Sequence, residues 1–259
     1  MTDYLQLGSK KIEVQWHQGA QKELPTLIFL HEGLGCTSIW KDFPKKLSQR
    51  TGCPALVFSR FGYGQSDPSP LPWKVNFMHE QALKILPEVI KTAKIKQYIL
   101  IGHSDGGSIG IIFGGSPHIK ETKGLKGLIT EAAHVFCEQI TVDCIRQAKL
   151  NYENTNLKQR LEKYHGKNSD NAFWGWNDVW LNPKFMHWNI EKYLTKIKIP
   201  VLAIQGKEDQ YGTKKQLDSL KTKIKNIETH MLDNCRHSPH IDQKEKVLDL
   251  MSQFIHKII

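Results

Sequence analysis

The sequence has no apolar run near the roughly 18 residues that a membrane span requires. Its opening, Met1 to Trp16, lacks a basic segment followed by an apolar one, so neither a span nor a secretory leader is expected. Cysteine is sparse: Cys36, Cys53, Cys137, Cys144 and Cys235 are odd in number and widely spaced, with no C-x-x-C pair. That pattern predicts free thiols and a cytoplasmic protein rather than a disulfide framework. Arginine is nearly missing, since only Arg50, Arg60, Arg146, Arg160 and Arg236 stand among the 36 basic residues. The net charge of +10 is therefore lysine, spread along the chain and densest from Lys192 to Lys225. No cluster of arginine interleaved with aromatics is present, so the lysines read as solvated faces and no nucleic-acid partner is expected. H-E-x-x-H, G-K-[ST] and G-x-G-x-x-G are all absent. Their absence removes the zinc-protease, phosphate-loop and dinucleotide readings, so no metal and no cofactor is expected.

What remains is a soluble chain of 259 residues, 39% hydrophobic, enough for one large core. Short apolar runs recur: Thr26–Leu30, Ala55–Ser59, Tyr98–Gly102, Leu125–Thr130 and Pro200–Gly206. Runs of this length without polar alternation predict strands buried on both faces, as in a parallel sheet. The opening "DYLQLGSKKIEVQWH" alternates around Gly-Ser and predicts an antiparallel hairpin, and "IETHML" adds a further strand. Helical patterns cover Ile39 to Arg50, His79 to Lys94 and about Ile241 to Ile255, with Pro87 predicting a kink or break in the second. Alternating β and α elements predict an α/β fold with a wound, mostly parallel, eight-stranded sheet flanked by helices.

One region breaks the alternation. From about Ala133 to Ile199 no strand pattern occurs, and Trp174, Trp176, Trp180 and Trp188 crowd into "NAFWGWNDVWLNPKFMHWNI". The expected organisation is a core of residues 1–132 and 200–259 with a helical cap, residues 133–199, inserted over one sheet edge.

The chemistry concentrates in Gly102-His103-Ser104-Asp105-Gly106, a G-x-S-x-G between a strand and a small-residue helix. That context is what a nucleophile elbow requires: a strained turn whose flanking residues must be glycine, with the hydroxyl raised above the sheet at a helix N-terminus. A serine needs a base and an orienting carboxylate, which in this architecture follow as acid then histidine, each after a later strand. "PVLAIQGKEDQYG" offers Asp209, with Glu208 beside it, and "HMLDNCRHSPH" offers His237, with His240 three residues on. Asp209 and His237 are preferred, His240 being assigned to the start of the last helix. Ser104, His237 and Asp209 are the expected catalytic residues.

Several motifs together resemble the α/β-hydrolase superfamily over nearly the whole chain. "LHEGLGC" is similar to its oxyanion loop, often H-G-G-x-G, and "SRFGYGQSDP" to its R-G-x-G-x-S turn. Glu32 and Phe61 depart from that pattern, each standing where glycine is usual. The S-D-G-G elbow, G-L-G loop, R-F-G-Y-G turn and H-x-x-H end resemble the biphenyl-hydrolase-like group, which includes valacyclovir hydrolase. The resemblance implies a serine hydrolase acting on a small carboxylic ester with water, through an acyl-enzyme. The backbone N–H groups of Gly33 and Asp105 would hold the oxyanion. Amide, thioester or C–C bond hydrolysis share the same machinery, and a triad-bearing ligand receptor with slow turnover is the alternative from another class. The group further implies that Asp105 binds a substrate amino group, against the plainer reading in which nearby N–H or hydroxyl groups satisfy it. Glu32 is expected to bond its own loop or to line the pocket. Trp174, Trp176 and Trp180 are candidate substrate contacts, of which one or two are expected to face a ligand.

Overall fold

The computed structural model describes residues 3–21 and 23–259. Eight strands form one sheet in the order β1-β2-β4-β3-β5-β6-β7-β8. Their ranges are β1 Asp3–Leu7, β2 Lys10–His17, β3 Thr26–Leu30, β4 Ala55–Phe58, β5 Tyr98–His103, β6 Leu125–Glu131, β7 Val201–Gly206 and β8 Ile227–Leu232. β1 pairs antiparallel with β2, and β2 with β4; every other pairing is parallel. The hairpin and the mostly parallel sheet are as the sequence predicts.

The central runs lack alternation because both faces are covered. Leu27 and Phe29 point into one apolar layer with Ile99, Ile101, Leu202 and Ile204. Ile28 and Leu30 point into the other with Leu56, Leu100 and Leu128. Helices Phe43–Thr51 and Lys244–Ile258 close the first layer, through Phe43, Leu47, Val247, Leu248, Met251 and Ile255. Helices Asp105–Gly114 and Lys214–Lys223 close the second. A strand residue buried on either face loses the polar partner that would mark a half-exposed strand, and continuous apolar runs are the result.

At Pro87 the regular helix is interrupted, as the sequence predicts, by a change of turn. The segment runs Phe77–Glu80, then a π-turn Gln81–Ile85, then Leu86–Thr92 with Pro87 in its first turn. Widening the turn ahead of the proline accommodates a ring and a missing N–H that a regular helix interior cannot. The last helix starts at Lys244 rather than Ile241, since Gln243 (φ −130°, ψ 45°) is non-helical and isolates the short turn Pro239–Asp242.

Between β6 and β7 the chain forms helices Gln139–Asn154, Leu157–His165, Ser169–Trp180 and Glu191–Leu194. The two ends of this excursion run side by side: Cys137 N–H donates to the Trp188 carbonyl (3.1 Å) and Ile190 N–H to that of Val135 (2.8 Å). Among the described residues no helix is long and apolar enough to cross a membrane.

Candidate active site

Ser104 sits between the end of β5 and the helix Asp105–Gly114, with φ +52°, a value a non-glycine residue adopts only under constraint. Its N–H donates to the Glu131 carbonyl at the end of β6 (2.8 Å), and its carbonyl accepts the first helical bond, from Ser108 N–H (3.0 Å). The turn is so tight that a Cβ on Gly102 would lie 2.4 Å from the Gly106 carbonyl oxygen, and one on Gly106 only 2.0 Å from that of Leu30. Both glycines are therefore sterically required, and the serine hydroxyl stands above the carboxyl ends of β3, β5 and β6.

The partners arrive from the loops after β7 and β8. Ser104 Oγ–H donates to His237 Nε2 (2.9 Å), and His237 Nδ1–H donates to Asp209 Oδ1 (2.8 Å). Asp209 Oδ1 also accepts from Tyr211 N–H (2.9 Å), while Gln205 Nε2–H reaches Oδ2 (3.3 Å). Burial of Asp209 favours its neutral form, but the His237 ring and the Tyr211 N–H outweigh it and hold the carboxyl below its usual range. The two rivals do other work. Glu208 accepts from Cys235 N–H (2.8 Å), and His240 Nδ1 pairs with buried Glu131 Oε2 (2.6 Å).

These groups open into a cavity of about 190 Å³ lined by Glu32, Gly33, His103, Ser104, Asp105, His134, Trp176, Trp180, Tyr211 and His237, among others. Trp176 packs against Gly33, where a Cβ would fall 2.1 Å from the indole nitrogen. Among the described residues neither Gly33 N–H nor Asp105 N–H donates to a protein acceptor, and Asp105 is the first residue of its helix, where N–H groups are orphaned. Two free donors beside a hydroxyl can accept negative charge as it develops.

Asp105 is 1% exposed, and among the described residues neither of its carboxylate oxygens has a hydrogen-bond partner. The reading in which neighbouring N–H or hydroxyl groups satisfy it therefore does not hold. The Trp180 indole N–H approaches without completing a bond and is itself unpartnered. Burial pushes the Asp105 carboxyl up to about 6, against the opposing Arg60 charge and the Trp180 ring.

Trp174 is a correction. Its ring packs edge-on against Tyr152 and Phe173, with the Lys149 ammonium over it, and does not reach the cavity. Trp176 and Trp180 do reach it. Glu32 lines the cavity, but its carboxylate turns toward His103 (Oε2 to Nδ1 3.5 Å). Sequence reasoning assigns no role to His103, His134 or Tyr211. His134 and Tyr211 flank the His237 ring, with centroids 5.8 and 4.7 Å away. His134 is held neutral, its burial and the nearby His237 pulling it down to about 4. The G-H-S tripeptide was the available signal for His103; for His134 and Tyr211 only their positions after β6 and β7 pointed to the site.

The alpha/beta hydrolase family model matches residues 27–250. The chain is 19% identical to a proline iminopeptidase of Lactobacillus helveticus, over 92% of each chain. Solved structures with similar folds include a proline iminopeptidase of Mycobacterium smegmatis (TM-score 0.75, 18% identity, 99% of this chain and 98% of that one). The naproxen esterase of Bacillus subtilis is another (TM-score 0.73, 16% identity, 98% and 90%). At such identities the structures speak to the fold, while the family match spans most of the sequence and the elbow, the sheet order and the loops after β7 and β8 agree with it. The chain belongs to the alpha/beta hydrolase family.

Proposed function

We propose that the protein is a serine hydrolase that cleaves a small carboxylic ester through an acyl-enzyme, resembling the biphenyl-hydrolase-like group. The observation that carries this reading is the unbroken relay Ser104–His237–Asp209, at 2.9 and 2.8 Å, opening into a cavity. His237 takes the Ser104 proton as the oxygen attacks the ester carbonyl, and Asp209 keeps the imidazole in the tautomer that accepts it. Gly33 and Asp105 N–H groups hold the tetrahedral oxyanion. His237 then protonates the departing alcohol, and water repeats the sequence to release the acid. Residues 133–199 act as the cap, contributing Thr141, Ile145, Trp176 and Trp180 to the cavity wall.

The cavity, at about 190 Å³, is small, below the roughly 300–1,000 Å³ of sites for drug-sized ligands, so the acyl group it accepts is short. Steady-state hydrolysis of a panel of 4-nitrophenyl esters tests the assignment. Short acyl chains should turn over repeatedly, and Ser104→Ala should lower kcat by roughly 10⁶-fold. Near-full turnover by that variant would refute the reading, and a single burst without further turnover would favour a receptor.

A second reading concerns the acyl group. Asp105 lines the cavity with both oxygens unpartnered, and a protonated amine on the substrate would supply the missing donor. A charge-assisted hydrogen bond of about 1.5–3 kcal/mol corresponds to roughly a ten- to hundredfold preference in kcat/KM. An aminoacyl ester should therefore be preferred over its des-amino analogue, the preference fading as pH falls below about 6, where Asp105 takes up a proton. Equal kcat/KM values for the two esters would dismiss it.

A further inference from the structure

We propose that Glu32 and His103 form a positioning pair. The Glu32 carboxylate keeps His103 as an imidazolium, and the ring's other N–H fixes the backbone carbonyl of His237, and with it the imidazole that serves Ser104. The proposal rests on the reading of Ser104 and His237 given above and extends it to two residues outside the relay.

Glu32 stands where a glycine is usual in the loop after β3. His103 Nδ1 lies 3.5 Å from Glu32 Oε2, an ion-pair distance, and His103 Nε2–H donates to the His237 carbonyl (2.7 Å). Each ring nitrogen thus faces an acceptor. A neutral imidazole has one N–H, so either tautomer turns a lone pair onto one of those oxygens. With Glu32 ionised, only the doubly protonated ring turns an N–H toward both; at 3.5 Å the Glu32 contact is an ion pair rather than a hydrogen bond, and neither Nδ1 nor Oε2 has another partner among the described residues. His103 is 2% exposed, so the mismatch would not be relieved by water.

The Glu32 backbone is anchored independently of its side chain. Its carbonyl accepts from Gly35 N–H (3.2 Å), Arg60 Nη2–H (3.0 Å) and the His31 ring (Nδ1, 2.7 Å). Room for the carboxylate comes from Gly35, whose Cβ would fall 2.3 Å from Glu32 Oε2. The pair therefore joins three segments that must stay in register: the loop carrying Gly33 N–H, the elbow, and the loop carrying His237.

The groups facing His103 come from every element around it. Glu32 in the loop after β3 and Glu131 at the end of β6 favour its charge, as does Asp105 when ionised. His237 lies 5.2 Å away between ring centroids and His240 5.0 Å, with His240 bonded to Glu131; His134 is neutral. Burial opposes the charge on His103, but the Glu32 contact outweighs it and raises the ring to about 9. The same contact holds the Glu32 carboxyl well below its ordinary range despite burial. A raised histidine keeps its contribution below its folded value and loses it as pH climbs through about 9. Without Glu32 the largest remaining influence is burial, which moves the loss below the ring's ordinary range, so the variant's ring is neutral where the wild type's is still charged.

The test is the pH dependence of kcat for 4-nitrophenyl acetate in the wild type and Glu32→Gln, from pH 6 to pH 9.5. The ratio of variant to wild type should be low from pH 6.5 to pH 8 and rise severalfold by pH 9.5, as the wild type loses its own imidazolium through about 9. A purely structural role would lower the ratio by the same factor throughout, and a flat ratio overturns the proposal. Should Glu32→Gln fail to fold, ¹⁵N-histidine NMR of the wild type decides. The imidazole whose signals vanish in His103→Gln should carry protons on both nitrogens at pH 7.5, and a singly protonated ring there overturns the proposal. Near-full turnover by Ser104→Ala would sink the parent reading and this role with it. Loss of turnover in Ser104→Ala beside a flat Glu32→Gln ratio would sink the positioning role alone.

Discussion

Replacing Asp209 by asparagine separates two functions that one carboxylate combines, the choice of tautomer and the stabilisation of charge. Asp209 Oδ1 accepts from both His237 Nδ1–H and Tyr211 N–H, and Oδ2 from Gln205 Nε2–H at the longer distance of 3.3 Å. An amide must present its NH₂ at one of these positions. At Oδ1 it would orphan the Tyr211 N–H and force His237 into the wrong tautomer. At Oδ2 it gives up only the weakest bond, although Gln205 cannot turn its amide away, since the same nitrogen also donates to the Gly212 carbonyl (2.9 Å) and that of Thr213 (3.2 Å). Two good bonds outweigh one long contact, so the oxygen stays at Oδ1 and the tautomer survives. What is lost is the attraction between carboxylate and imidazolium. With charge centres about 4 Å apart and an effective dielectric constant of about 20, that is about 4 kcal/mol, or roughly a thousandfold in kcat. Had the tautomer been lost as well, the expectation would rise to about 10⁴-fold. The assay is kcat for 4-nitrophenyl acetate at pH 8, beside Glu208→Gln, whose carboxylate serves Cys235 N–H and whose loss should cost only a few-fold. A loss under about tenfold for Asp209→Asn, or a larger one for Glu208→Gln, would refute the assignment of the orienting acid.

Two further predictions concern stability. Because burial raises the Asp105 carboxyl from 3.8 to about 6, the folded state holds its proton more tightly than the unfolded chain, so its contribution is intact at acid pH and lost as pH rises through about 6. The span of about two units corresponds to about 3 kcal/mol, so urea midpoints should show Asp105→Asn gaining on the wild type between pH 4.5 and pH 8; parallel pH profiles would contradict this. Gly106→Ala places a methyl group 2.0 Å from the Leu30 carbonyl oxygen and 2.8 Å from that of His31, both backbone atoms, and should cost about 3 kcal/mol or more in denaturant unfolding. An unchanged midpoint would mean that the elbow is looser than its geometry.

How much of this is legible in a sequence depends on the range of the interaction that decides each feature. The strands could be read because Leu27, Ile28, Phe29 and Leu30 are all buried, two against each apolar layer, and an unbroken apolar run is the direct record of that. The elbow could be read because Gly102 answers a clash with Gly106, four residues on, although the clash that Gly106 itself answers, with Leu30, is long-range. The tryptophans mark an intermediate case. Trp176 and Trp180 are four residues apart on helix Ser169–Trp180 and share a face, which turns to the cavity. Trp174 is two residues from Trp176, about 200° around the same helix at roughly 100° per residue, and packs away from it. Helical spacing alone could have separated them once the segment was taken as one helix. Asp105 differs in kind. Whether a buried carboxylate finds a donor depends on Arg60, Trp180 and the loop after β3, and no local pattern records that none bonds it. Glu32 lies between these extremes. Its partner His103 is far along the chain and invisible to any spacing rule, yet the residue stands where a glycine is usual, and Gly35, three positions on, clears the volume its carboxylate fills. A charged side chain in a turn that ordinarily has none requires a buried counter-charge within reach, so a departure from a motif can itself direct the search for the group that compensates it.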